Sequence, residues 1–165
     1  MSYLTSLPSI SATDWLEDST EPSWTVEQTV ELAKVLAAHG VDFLDVSSGG
    51  NSSAQNIKIT QPAYQAPLAQ KVKQSQDALR AEGKASLLVG SVGGISTGEL
   101  AEEVLKNEQA DVILVGRQFQ KDPGLVWTFA DELGVNVKVA NQIEWGFKGR
   151  GSISKAKKAQ TSSAL

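Results

Sequence analysis

Residues 86–97 read Ser-Leu-Leu-Val-Gly-Ser-Val-Gly-Gly-Ile-Ser-Thr. This is a short apolar run that breaks into glycine and then reaches a residue suited to begin a helix. The run 86–89 has the length and character of a buried strand. Thr97 can cap a helix over 97–106, in which Leu100, Val104 and Leu105 share one face while Glu102, Glu103 and Lys106 take the other. Strand, glycine turn and helix make half of a βα repeat, so the fold depends on whether the unit recurs.

It recurs on both sides. Residues 41–46 and 111–115 are further apolar, β-branched runs bounded by Gly or Asp, and helix-like sequence precedes all three strands, at 25–38, 66–81 and 97–106. In the first helix Val26, Val30, Ala33, Leu36 and Ala37 recur at helical spacing; Thr25 and Gln28 form a capping-box pair, and Gly40 supplies the left-handed residue that ends it. Helix–strand repetition implies a parallel sheet with right-handed crossovers. A doubly wound sheet would show its glycine turn chiefly after the first strand, whereas a barrel places chemistry at every strand end. Here all three strands end in such residues: Ser47-Ser48-Gly49-Gly50-Asn51, the Gly90–94 loop, and Gly116-Arg117. A complete (β/α)₈ barrel needs about 250 residues, and the chain has 165. The fold expected is therefore α/β, a partial barrel with strands in sequence order. Residues 10–15 read as the end of a fourth strand, Lys121-Asp122-Pro123 as a turn into a helix over 125–133, and the alternation in 134–140 as a short exposed strand.

Composition narrows the function. Fifteen Lys plus Arg against nineteen Asp plus Glu give a net charge of -4, which argues against nucleic acid as a partner. The absence of cysteine removes disulfides, thiolate nucleophiles and Cys-based metal sites. Residues 1–10 lack a signal-peptide pattern and no apolar run has spanning length, so the reading is a cytoplasmic protein without a membrane partner. Residues 150–165 read as a basic disordered tail.

The glycine loop after 86–89 suits an anion, because bare amides precede a helix and no Cβ stands in the way. On its own it could equally be a turn serving chain geometry. Gly116-Arg117 follows the next strand at the same end and adds a guanidinium suited to bidentate phosphate contact. Phosphate-binding residues expected are thus Gly93, Gly94, Gly116 and Arg117. No catalytic set emerges. His39, the only histidine, ends a helix beside Gly40; Asp14 and Asp45 lack a paired carboxylate at motif spacing and read as loop hydrogen-bonding groups; Ser47 and Ser48 have no nearby base; and no metal site is indicated. Tyr64, Trp15 and Trp145 suit packing as well as stacking on a planar ligand.

These segments, taken in order, resemble a known family. Ile10-Ser-Ala-Thr-Asp-Trp, Val41-Asp-Phe-Leu-Asp-Val-Ser-Ser-Gly-Gly, Pro62-Ala-Tyr-Gln, Val89-Gly-Ser-Val-Gly-Gly-Ile and Asp111-Val-Ile-Leu-Val-Gly-Arg-Gln-Phe, with Asp122-Pro123, are similar to the second half of the Old Yellow Enzyme family, in its thermophilic-like class and a fungal-looking version. The resemblance implies a TIM barrel holding FMN at its strand ends, which takes hydride from NAD(P)H and passes it to an activated C=C bond. It makes Gly93 and Gly116 backbone phosphate contacts and Arg117 the phosphate arginine, with Ser91 and Gly94 lining the same loop. Residues 142–147 resemble the segment that reaches a neighbouring subunit in that class.

Departures are also visible. The resemblance implies a flavin-contacting arginine where this chain has Ser9, and Trp145 stands where the class has an arginine finger. The resemblance places the family's substrate-anchoring histidine pair or His-Asn pair, proton-donating tyrosine and flavin-reading glutamine in the barrel's first half. The chain thus reads as an altered segment 1–9, a carboxyl-terminal half barrel over 10–149 (roughly strands five to eight) and the tail 150–165. A truncated enzyme is expected, with a homo-oligomer or a complementary half barrel as the alternative arrangement, and a non-catalytic binding or assembly protein as the alternative function.

Overall fold

The computed structural model describes residues 6–16, 18–50, 52–57 and 59–148. Four parallel strands, β1 (Ser9–Ser11), β2 (Phe43–Ser47), β3 (Leu88–Val92) and β4 (Val112–Leu114), stand in the sheet in chain order. Helices α1 (Val26–Ala38), α2 (Ala66–Ala81) and α3 (Gly98–Lys106) connect them. Ser9 registers with Asp45, Leu44 with Val89, and Val92 with Leu114. Parallel neighbours in unbroken sequence order form a stretch of barrel wall, as expected, and not a doubly wound sheet whose order reverses.

The chain divides into two compact units, 1–134 and 135–165. The first also holds α4 (Arg117–Lys121) and α5 (Leu125–Glu132); the second holds α6 (Glu144–Lys148). The alternation in 134–140 forms no strand among the described residues. The expected tail over 150–165 lies outside them.

Local chemistry sets the helix ends. The amide of Gln28 donates to the Thr25 hydroxyl at 3.4 Å, and Gln28 Oε1 accepts from the Thr25 amide at 2.9 Å, closing the capping box. Gly40 follows the end of α1 at φ +83°. Thr29 on α1 donates to the Ala12 carbonyl at 2.9 Å and accepts from Trp24 Nε1 at 2.7 Å, pinning the helix to the end of β1.

Pleating gives the sheet two unlike faces. Leu44, Val46 and Val89 are fully buried with Ala33, Ala37, Ala69, Val72 and Leu87. Each such Leu or Val adds about 1.5–3 kcal/mol relative to exposure. Phe43, Asp45, Leu88, Gly90, Val112 and Leu114 alternate with these positions, and Leu88 and Val112 are exposed. At the amino-terminal edge Asp111 accepts from the Val89 amide at 2.9 Å and pairs with Lys73 of α2 at 2.9 Å, while Lys73 also meets Asp77 at 2.8 Å. Burial pulls the Lys73 pKa down, but the bonds to Asp77 and Asp111 outweigh it and leave it raised.

The strand predicted over 86–89 is found at Leu88–Val92. Gly90 and Ser91 therefore belong to β3 and not to the loop. Gly90 is a strand residue because Phe43 and Leu114 cross over it: a Cβ there would lie 2.4 Å from Phe43 Cζ and 2.4 Å from Leu114 Cδ1.

Candidate functional site

The carboxyl-terminal ends of β2, β3 and β4 lie along one edge of the sheet because the strands are parallel and in register. From β2 leave Ser48, Gly49 and Gly50; from β3, Gly93 and Gly94; from β4, Gly116 and Arg117. Val92 registers with Leu114, so the two predicted anion loops emerge from adjacent strands, roughly 4.8 Å apart in a sheet.

Gly93 and Gly94 adopt φ +101° and +72°, which only glycine takes without cost. A Cβ at Gly93 would lie 2.2 Å from Gln65 Nε2 and 3.2 Å from the Tyr64 ring, and one at Gly94 would lie 3.1 Å from the Ala63 amide. The β3 loop thus rests on residues 62–65, and Tyr64 packs beneath it. At Gly116 a Cβ would meet nothing within 4 Å. Among the described residues the amides of Gly93, Gly94 and Gly116 make no hydrogen bond, and exposed Arg117 has no ion pair. Backbone donors and a free guanidinium at one edge suit a phosphate ester.

Ser91 is placed differently from expectation. It lies within β3, is fully buried and, two residues from Val89, points to the helix-covered face; its hydroxyl finds no partner among the described residues. The first turn of α3 is also largely engaged internally. The Leu100 amide donates to Thr97 Oγ1, and Glu132 of α5 accepts from the Gly98 amide. The predicted capping by Thr97 is present, while a carboxylate of the chain itself occupies the amide of Gly98.

Among the other candidates Asp14 and Trp15 follow β1 at this same edge, Asp45 lies within β2, and His39 falls away from it. His39 ends α1, ahead of β2, with Nδ1 2.8 Å from the Val35 carbonyl, which places it at the amino-terminal edge. Asp14 accepts from the Trp24 amide at 2.6 Å, as a loop-holding group does. Asp45 accepts from the Ser9 hydroxyl at 2.8 Å through one oxygen, while the other is buried without a partner among the described residues. Burial raises the Asp45 pKa and the Ser9 hydrogen bond opposes the shift. The Trp15 ring approaches Gly49, and its buried Nε1 has no partner among the described residues. A groove of about 500 Å³ is lined by Trp24, Glu27, Gln28, Glu31, Leu32 and Val35; it belongs to the surface of α1 and no strand end reaches it. No metal-holding cluster of His, Cys, Asp and Glu occurs among the described residues, and no described helix is long and apolar enough to cross a membrane.

Sequence reading missed Gln65. It is buried, accepts from Ser48 Oγ at 2.6 Å and donates to the Val92 carbonyl at 3.0 Å. Its partners lie 17 and 27 residues away, and its only local signal is a place beside Pro62-Ala63-Tyr64.

Residues 12–136 match the family model for the NADH:flavin oxidoreductase / NADH oxidase family. The chain is 55% identical over 149 residues to the protein named NADH:flavin oxidoreductase FG08077 from Gibberella zeae, covering 86% of this chain and 34% of that protein. It is 35% identical over 127 residues to the NADPH dehydrogenase of Bacillus pumilus (77% of this chain, 34% of the relative) and 32% identical over 130 residues to that of Bacillus subtilis (79% and 35%). The chain spans about a third of the length of these relatives.

Proposed function

The chain belongs to the NADH:flavin oxidoreductase / NADH oxidase family, and from that premise we propose that its β3 and β4 loops hold the phosphate end of FMN in an NAD(P)H-dependent, ene-reductase-type barrel. When bound, FMN supplies the two-electron chemistry between NAD(P)H and an electron-poor C=C bond. The part assigned to this chain is narrower. The amides of Gly93, Gly94 and Gly116 donate to phosphate oxygens, and Arg117 adds charge-assisted bonds. Ser91 contributes at most its place in the strand behind the loop. The observation that carries this reading is the Val92–Leu114 register, which brings the two loops to one edge.

No catalytic residue is assigned to this chain. Among the described residues the strand-end edge carries no histidine, and Asp45, whose carboxylate accepts from Ser9, lies within β2 and not at that edge. Substrate polarisation and proton delivery would come from a complementary half barrel or a second copy, in a cytoplasmic assembly. A second reading, a non-catalytic binding or assembly protein, draws on the exposed Leu88 and Val112, which share one face of the sheet.

Comparing FMN with riboflavin, which lacks the phosphate, tests the assignment. The intact chain should bind FMN more tightly than riboflavin. Arg117→Ala should reduce FMN affinity by roughly ten- to a hundredfold, the weight of one charge-assisted contact, and leave riboflavin unchanged. Equal binding of the two flavins, or an FMN preference undiminished by Arg117→Ala, would reject the reading.

A further inference from the structure

We propose that Gln65 is a positioning residue that locks the β2 and β3 loops together and holds Gly93-Gly94 in its anion-accepting form; its role in cofactor binding rests on the phosphate reading above. Gln65 is at the N-cap position of α2 and makes no side-chain cap bond there. Its amide turns to the strand ends instead. The Val92 carbonyl can only accept, so Nε2 faces it, and Oε1 then receives the Ser48 hydroxyl. One side chain thereby joins the ends of two neighbouring strands.

The amide also shapes what lies above it. Nε2 occupies the place where a side chain at residue 93 would begin, 2.2 Å from a Cβ there. Gly94 in turn lies over the Ala63 amide. Ala63 takes φ +53° in a buried position, and its carbonyl accepts from the Ala66 amide at 2.8 Å. Ile95, just beyond the glycines, is buried with Ala63, Ala66 and Ala101. The segment 62–65 is therefore a platform, and Gln65 ties the loop to it by directed bonds where apolar packing alone would let the glycines slide. Glycines give the loop access to a ligand and also make it pliant, so an anchor directly beneath them has a reason to be polar and buried.

Amide NMR of the full chain, with FMN and riboflavin titrations, tests this. Gln65→Met keeps the bulk and removes both bonds; Gln65→Glu keeps the Ser48 bond and replaces the donor to Val92 with an acceptor. Both variants should shift the Gly93 and Gly94 resonances, speed their hydrogen exchange and lower the preference for FMN over riboflavin by about tenfold, equivalent to one hydrogen bond's net weight. Riboflavin binding should be unchanged. If Gln65→Met fails to fold, Ser48→Ala, which removes only the β2 half of the bridge, is judged by the same amides. Unmoved Gly93 and Gly94 signals in the folded variants, or an intact FMN preference beside moved signals, would overturn the proposal. If the unaltered chain shows no FMN preference, the phosphate reading fails instead, and the amide signals alone decide whether Gln65 positions the loop.

Discussion

Asp45 is a costly residue to hold in the middle of a short strand. One oxygen accepts from Ser9 and the other is buried without a partner among the described residues. Burial raises its pKa, so the folded chain binds that proton more tightly than the unfolded chain does. The associated stability is full below the ordinary carboxylate pKa of about 3.9 and is lost as pH rises through the higher folded value. At neutral pH the carboxylate therefore lowers stability, and screening at this half-buried position keeps the cost below the ~1–3 kcal/mol of a fully buried orphan. Asp45→Asn should raise stability in urea unfolding at pH 7, with the gain shrinking toward zero near pH 3. An equal gain at both pH values would place the cause elsewhere. The resemblance implies an arginine at position 9, and the Ser9–Asp45 register would set it beside this carboxylate. That pairing was not legible in the sequence: the two residues lie 36 apart, and a strand's own composition does not announce its cross-strand partner.

Helix α3 shows how packing overrides propensity at the scale of elements. Alanine is favoured over glycine in a helix interior by about 1 kcal/mol, and Gly98 opens α3. Yet a Cβ at Gly98 would lie 2.8 Å from the Phe129 carbonyl oxygen and 3.1 Å from Phe129 Cα, both backbone atoms of α5. Backbone yields less readily than a side-chain tip, so Gly98→Ala should destabilise by roughly 1–3 kcal/mol despite better propensity. A lower urea midpoint checks this; a higher one would mean that α5 shifts freely. The same contrast governed what could be read in advance. Capping boxes and amphipathic spacing are local, and α1, α2 and α3 were legible almost to the residue. Gly90 looked like a turn because glycine usually punctuates, and only Phe43 and Leu114 crossing above it reveal a strand. Helix α4 has five residues, no side-chain cap and no buried face, so nothing in its pattern marked it.

At the scale of the whole molecule, the fold class was legible because the βα unit repeats, whereas chemistry was not, because it depends on groups brought together from separate strands. Strands β1 and β4 stand at the two ends of the four-strand order, and on one sheet face Leu88 and Val112 are exposed. A flavin held at this edge would have its phosphate gripped and its ring system largely without the contacts a closed barrel provides. A few amide bonds and one guanidinium, each contributing about 0.5–3 kcal/mol net, offset little more than the cost of immobilising the ligand, so FMN should bind with a dissociation constant of about 0.1–1 mM. Purified chain should then be colourless after gel filtration. Mixed with FMN, NADPH and cyclohexenone, it should oxidise NADPH no faster than free FMN, because among the described residues of the first unit no histidine or carboxyl pair stands at the strand-end edge to polarise the enone or deliver a proton. The decisive contrary outcome is a yellow protein that keeps stoichiometric FMN through gel filtration and turns over the enone, with both properties lost in Arg117→Ala. That result would mean that four strands, alone or as a self-assembled pair, complete a working flavin site.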